Sequence, residues 1–263
     1  LTGKARKMRL LSFDTSTSDL HACLADGERI IASAVLRSST VDRQYAASQL
    51  IPTIEKLCKE AGWSKVQLDA VVIGIGPGSF TGTRVAVVTA RTLAQALNLP
   101  LIDISIFESY AFQAQAEGKL PAAIILSAGR NHYFMAAFEP DRLLGYSCVI
   151  APAYLSVEAM LEVLNDVPFR LVDRKAYDVL NALQVLQLNE LPILNNIAVT
   201  QCQIAWHRLC LHRQANSGTE SSEIDEKLDK ATLLNAFPYE KIVPLYIQGA
   251  SITLKKKVST SAD

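Results

Sequence analysis

The sequence predicts an α/β protein whose two halves repeat one order of elements. Met8–Phe13 alternates apolar and polar residues and opens an antiparallel meander. Ala70-Val71-Val72-Ile73 is a continuous apolar run, as expected of a strand covered on both faces. After about residue 118 three strands, a helix and a strand begin again in the same order, although no residue-level identity links the halves. The expected division is 8–118 for the first lobe and 119–250 for a second, smaller or degenerate lobe, with flexible tails at 1–7 and 251–263.

Taken in order, Leu20–Ala25 and Arg29–Leu36 flank Asp26-Gly27, a hairpin signal. Ala47, Leu50, Ile51, Ile54, Leu57, Cys58 and Ala61 fall at helical spacing, and Gly62 stops that helix. The strand at 70–73 runs into Gly74-Ile75-Gly76-Pro77-Gly78-Ser79-Phe80-Thr81-Gly82, and a helix follows to about Leu97. Leu99–Ile104 reads as a strand. In the second half, strands are expected at Ala122–Leu126, His132–Phe138, Ser147–Ile150 and Phe169–Val172. Helices are expected from a Ser156 cap to Leu164, over Arg174–Leu186 and over Ala198–His212. Asn216–Ser222 reads as a polar loop and Ile242–Ile247 as a late strand.

The 263 residues carry 26 basic and 26 acidic side chains, so the formal net charge is zero. Wholesale binding to nucleic acid needs a Lys/Arg excess, which leaves any RNA contact local or made by a partner. Five scattered cysteines without a C-x-x-C pair fit a reduced, cytoplasmic protein. The long uncharged stretch Leu191–His207 contains Asn195, Asn196, Gln201 and Gln203, so no membrane span is expected. Nor is a secretory signal, since Asp14 cuts short the apolar run behind Lys4, Arg6 and Lys7. Lys255-Lys256-Lys257 reads as a solvated tail, with a lipid or RNA anchor as the alternative.

Two segments carry candidate chemistry. In the glycine-rich loop, Gly76 and Gly78 permit close approach of backbone to a ligand, and Ser79 can cap a helix whose free amides favour an anion. The alternative is a tight turn that caps a buried helix. A dinucleotide fingerprint fails where Ser79 stands in place of glycine, and Thr83-Arg84 fails a Walker loop. In Asp14-Thr15-Ser16-Thr17-Ser18, Asp14, Thr15 and Ser16 could hold a nucleotide phosphate, with Asp14 near a metal; alternatively the hydroxyls satisfy a turn. Cys202, His207, Cys210 and His212 match no ligand spacing, and no metal site is expected.

A stripe of small residues, Gly82, Ala86, Ala90 and Ala94, lets another element approach the second helix closely. With Ala47, Leu50, Ile54 and Leu57 of the first helix it reads either as an intermolecular face or as internal packing.

Leu11-Ser12-Phe13-Asp14-Thr15-Ser16-Thr17, the run Val72–Arg84 containing G-P-G-S-F-T-G, and Pro244-Leu245-Tyr246-Ile247 together resemble the TsaB (YeaZ-like) family. The resemblance implies a two-lobed actin/Hsp70-like ATPase (ribonuclease H-like) fold, each lobe a mixed five-stranded sheet with helices. It implies an accessory subunit for synthesis of N6-threonylcarbamoyladenosine in tRNA, acting as a non-catalytic scaffold for the TsaD paralogue. A TsaE-type ATPase joins the pair, and TsaC-type enzymes supply threonylcarbamoyl-adenylate. The resemblance further implies a homodimer when alone, tRNA contact mainly through the complex, and docking through the first two helices. ATP or ADP with Mg is a candidate cofactor at the partner interface. Departures from the pattern are Ala46-Ala47-Ser48 where His-Ser-Glu is usual, Ser127 where an acid is usual, and Val172-Asp173-Arg174 where Gly-Asp-Gly is usual. The rival reading is a small-molecule kinase or ATPase of the same fold.

Overall fold

The structure is a computed structural model that describes residues 7–37, 45–129, 131–164, 169–185, 188–192, 194–217 and 230–247. The chain runs β1 (Arg9–Asp14), β2 (Leu20–Asp26), β3 (Arg29–Leu36), α1 (Tyr45–Glu60), β4 (Ala70–Gly74), α2 (Phe80–Leu97), β5 (Leu101–Ile104) and α3 (Ile106–Ala116). It continues with β6 (Ala122–Gly129), β7 (His132–Glu139), β8 (Ser147–Ser156), α4 (Val157–Val163), β9 (Phe169–Val172), α5 (Arg174–Ala182), β10 (Leu188–Glu190), α6 (Ile197–Ser217) and α7 (Lys230–Ala236).

The repeat legible in the sequence is a repeat of topology. One sheet has the order β3-β2-β1-β4-β5 and the other β10-β9-β6-β7-β8, so β6 occupies the place of β1 and β9 that of β4. In each, the first three strands are antiparallel and the later ones are added parallel to the first. Two mixed five-stranded sheets of one topology, covered by helices, form the two-lobed actin/Hsp70-like arrangement.

Strand alternation decides what each face meets. Leu11, Phe13, Val71 and Ile73 face α1 and α2, while Leu10, Val72, Ile102 and Ile104 face α6 and Leu233 of α7. On the second sheet Ile125, Met135 and Val172 pack on α4 and α5, whereas Ile124, Ala136 and Leu171 pack on Phe107 and Ala111 of α3. Helices α3 and α6 touch one another between the sheets. A helix from the second half of the chain therefore completes the core of the first sheet, and a helix from the first half covers the second.

Several expectations are corrected. Ile242–Ile247 forms no ladder; it is an extended strap fixed by the Leu245 amide donating to the Ile75 carbonyl at 2.9 Å. Helix α6 continues through Asn216 and Ser217, where a polar loop is expected, and the rest of that loop lies outside the described residues. Helix α5 ends at Ala182, and Leu186 lies outside the described residues. α3, β10 and α7 are additions to the expected elements. The 1–6 and 248–263 segments, including the lysine run, lie outside the described residues.

Candidate functional site

β1 and β4 run parallel and both end at one edge of the first sheet, the edge where open parallel sheets place ligands. Asp14 closes β1 and Gly74 closes β4, so the two candidate segments meet in space. Most of the polar contacts shown there join the two segments to each other or to α6, although the Ser16 hydroxyl is buried without a partner among the described residues. Asp14 is fully buried; its Oδ1 accepts the Ser16 amide at 2.6 Å and its Oδ2 accepts Nε2 of Gln201 at 2.7 Å. Gln201 is itself fully buried on α6, and its Oε1 accepts the Ser12 hydroxyl at 3.1 Å. Gln201 thus ties Asp14 of β1 to α6.

The loop glycines serve the same internal join. A Cβ at Gly78 would overlap the Ser16 carbonyl oxygen, and one at Gly82 would overlap the Thr15 carbonyl oxygen. The close approach lets the Ser79 amide donate to the Ser16 carbonyl at 2.6 Å and the Thr15 hydroxyl to the Gly82 carbonyl at 2.7 Å. A Cβ at Gly74 would collide with the Asp14 carboxylate. Gly76 lies at φ +85°, which a side chain would strain. Ser79 caps α2 by accepting the Gly82 amide. Asp14, Thr15, Ser16, Gly76, Gly78 and Ser79 are therefore brought together as one interlocked turn.

His21, opposite Asp14 on β2, extends this network. Its Nδ1 accepts the Ile197 amide at the start of α6 at 3.3 Å, which requires the unprotonated nitrogen. Burial pulls its pKa below the ordinary value, against the opposing charges of Asp14 and Asp19. The fold favours neutral imidazole, so stability is fully present above about pH 6.5, the ordinary histidine value. It is lost as pH falls and the unfolded chain takes up the proton first. In His21→Gln, the fall in melting temperature between pH 7.5 and pH 5 is expected to be smaller than in the parent, as read by thermal melts at both pH values.

In the second lobe Asp173 follows β9, the strand that takes the place of β4. Its Oδ1 caps α5 through the Ala176 amide at 2.7 Å, and its Oδ2 accepts the Ser127 amide at 2.6 Å. Tyr110 of α3 feels both lobes' acids: burial first, then the charges of Asp173 and Asp14, push its pKa up to about 12. Among the described residues no group of three or more His, Cys, Asp or Glu is placed to hold a metal ion. Among them, too, no helix is long and apolar enough to cross a membrane.

The proposed docking stripe needs correction. Leu50, Ile54, Leu57, Ala86, Ala90 and Ala94 are buried in this chain's own core, where the alanines let α2 lie close on β4. Gly82 is half-buried against the Thr15 turn, and the side chain of Ala47 lies outside the described residues. The small-residue stripe is internal packing. What the two helices present outward is Ile51 at 41% and Val88 at 63% exposure, with Pro52, Glu55, Lys56, Thr81, Arg84 and Thr92 around them.

Two functional neighbours carried weak sequence signals. Gln201 sits mid-helix with no motif around it. Arg84 donates from Nε to the Tyr246 hydroxyl at 2.6 Å and lies 3.8 Å from the Phe80 ring centroid, joining the glycine loop to the Pro244–Ile247 strap. Both ends of that clamp were in recognised motifs, but nothing in the sequence says they touch. Ser105-Ile106-Phe107-Glu108 is a capping box that starts α3, a local signal absent from the expected elements. Glu108 also pairs with Arg208 of α6, which ties α3 to α6.

Comparison with known proteins adds a family model, two relatives and a solved structure. The family model described as TsaD: tRNA N6-adenosine threonylcarbamoyltransferase matches residues 40–231. The chain is 30% identical over 104 residues to the tRNA threonylcarbamoyladenosine biosynthesis protein TsaB of Bacillus subtilis (strain 168), covering 40% of this chain and 44% of that one. It is 27% identical over 135 residues to TsaB of Escherichia coli (strain K12), covering 51% and 56%. The chain thus matches about half the length of these relatives. A crystal structure of an uncharacterized protein from Pseudomonas aeruginosa with similarity to peptidase YEAZ shares the fold, at TM-score 0.64 and 21% identity, covering 92% of this chain and 100% of that one.

Proposed function

We propose, given that the chain belongs to the TsaD, tRNA N6-adenosine threonylcarbamoyltransferase, family and within it to the TsaB/YeaZ group, that it is a non-catalytic partner of a TsaD-type subunit in tRNA threonylcarbamoyladenosine synthesis. The observation that carries this reading is the closed Asp14 turn. Both carboxylate oxygens accept from internal donors, the Ser16 amide and the Gln201 side chain. What remains available is surface. The outward side of α1 and α2 offers Ile51 and Val88 within a polar surround, the composition of a docking patch with an apolar centre. In this reading a TsaE-type ATPase joins the pair, tRNA is met through the TsaD-type subunit, and the isolated chain pairs with a second copy through the same side. ATP or ADP with Mg belongs at the partner interface.

Val88→Arg combined with Ile51→Glu is the direct test, because both side chains are exposed and the fold does not depend on them. The double variant is expected to keep the parent melting temperature. It should weaken capture of the TsaD-type partner at least tenfold in a sizing-column or calorimetric titration, the size of effect that truncating a central interface residue has. Unchanged partner affinity would place the docking surface elsewhere.

A further inference from the structure

We infer that the cleft between the glycine loop, the Pro244–Ile247 strap and the second sheet is a binding site for a small planar aromatic anion, a ring bearing a phosphate or carboxylate, that needs no metal. The cavity measures about 470 Å³, within the range of small-molecule sites. Its walls are Phe80 of α2, Phe134 of β7 and Tyr246 of the strap, with Arg84 among them. Phe80 and Tyr246 are largely exposed at 59% and 47%, and their rings stand 5.8 Å apart at 46°, an open aromatic wall.

The anion preference has independent support. The cavity lies against the first turn of the 18-residue helix α2, which carries no acidic residue there, so its positive dipole end is not neutralised by a side chain. No carboxylate lines the cavity. Ser79, Gly82 and Thr83 have partners for their amides, whereas no bond within the described residues takes those of Phe80 and Thr81. Of the five Arg84 donors only Nε is engaged among the described residues. Thr83 lines the same cavity and is only 5% exposed, yet its Oγ1 is buried without a partner. A buried hydroxyl left unpaired is unfavourable, and a ligand oxygen reaching it would satisfy it. Asp14, Thr15 and Ser16, the expected phosphate turn, take no part. The site does not depend on the docking reading above.

The test is calorimetric titration of the full chain in EDTA with four probes: adenosine 5′-monophosphate, 4-hydroxyphenylacetate, adenosine and inorganic phosphate. At least one of the two aromatic anions is expected to bind at least tenfold more tightly than adenosine or phosphate, and which of them leads tells phosphate from carboxylate as the natural group. Arg84→Gln should weaken that binding at least tenfold. Thr83→Val should weaken it severalfold without lowering the melting temperature, since it removes an unpaired hydroxyl. Phe134→Ala, on the opposite wall and outside the Arg84–Tyr246 clamp, should also weaken it. Absence of binding by both aromatic anions, binding that requires Mg, or affinity indifferent to Thr83→Val and Phe134→Ala would overturn the inference.

Discussion

Gly78→Ala is expected to cost about 3 kcal/mol of stability, the upper end of what overpacking a tight site costs. The added methyl would overlap the Ser16 carbonyl oxygen, which is backbone and has no rotamer to turn away. Relief requires the loop to lift from β1, and that breaks the Ser79 amide to Ser16 carbonyl bond and strains the Thr15 hydroxyl bond to Gly82. For a chain of 263 residues such a loss lowers the melting temperature by roughly 6–12 °C. Gly62→Ala is the comparison: that position, unlike Gly78, lies at positive φ, but nothing stands near its missing Cβ, so its cost is confined to backbone strain of about 1–2 kcal/mol. Equal losses at the two positions, by thermal or urea unfolding, would show that the loop does not depend on contact with the Asp14 turn.

The second large effect is at Gln201. Gln201→Leu removes the amide that donates to Asp14 Oδ2 and the carbonyl that receives the Ser12 hydroxyl, leaving a fully buried carboxylate with one donor. Hydrogen bonds to charged groups contribute about 1.5–3 kcal/mol, so a loss near 3 kcal/mol is expected. Asp14→Asn lowers the cost of the unpaired oxygen. The double variant Asp14→Asn with Gln201→Leu should therefore lose measurably less than the two single losses added together, as contacting residues do. Strict additivity in urea titrations would mean that the two side chains do not interact.

These two sites also show how far residue pattern reaches. The glycine spacing told that backbone would come close to something at 76–82; it could not tell whether that something was a ligand or the chain itself. The answer depends on Ser16 and Thr15, sixty residues away. Likewise the alanine stripe showed that α2 needed a close neighbour, and both β4 and another protein satisfy that need equally from sequence. The repeat of strand order was legible because it rests on local periodicity. The exchange of α3 and α6 between the two sheets was not, since helical spacing says that a face is apolar without saying which sheet covers it. Gln201 had no local signal at all: a glutamine in a helix reads as solvent-facing until Asp14 is placed opposite it. For the strap, Pro244-Leu245-Tyr246-Ile247 has strand composition, but it finds one backbone partner at Ile75 in place of a full ladder.

The measurement closest to the central claim is tRNA threonylcarbamoylation reconstituted from purified parts. The chain, its TsaD-type partner and a TsaE-type ATPase are supplied with tRNA, ATP, Mg and threonylcarbamoyl-adenylate, and modified adenosine is counted with each protein omitted in turn. No product is expected from the chain alone, little from the TsaD-type subunit without it, and at least a tenfold gain when both are present that Val88→Arg with Ile51→Glu abolishes. Product formed by the chain alone, or a TsaD-type subunit equally active without it, would contradict the account.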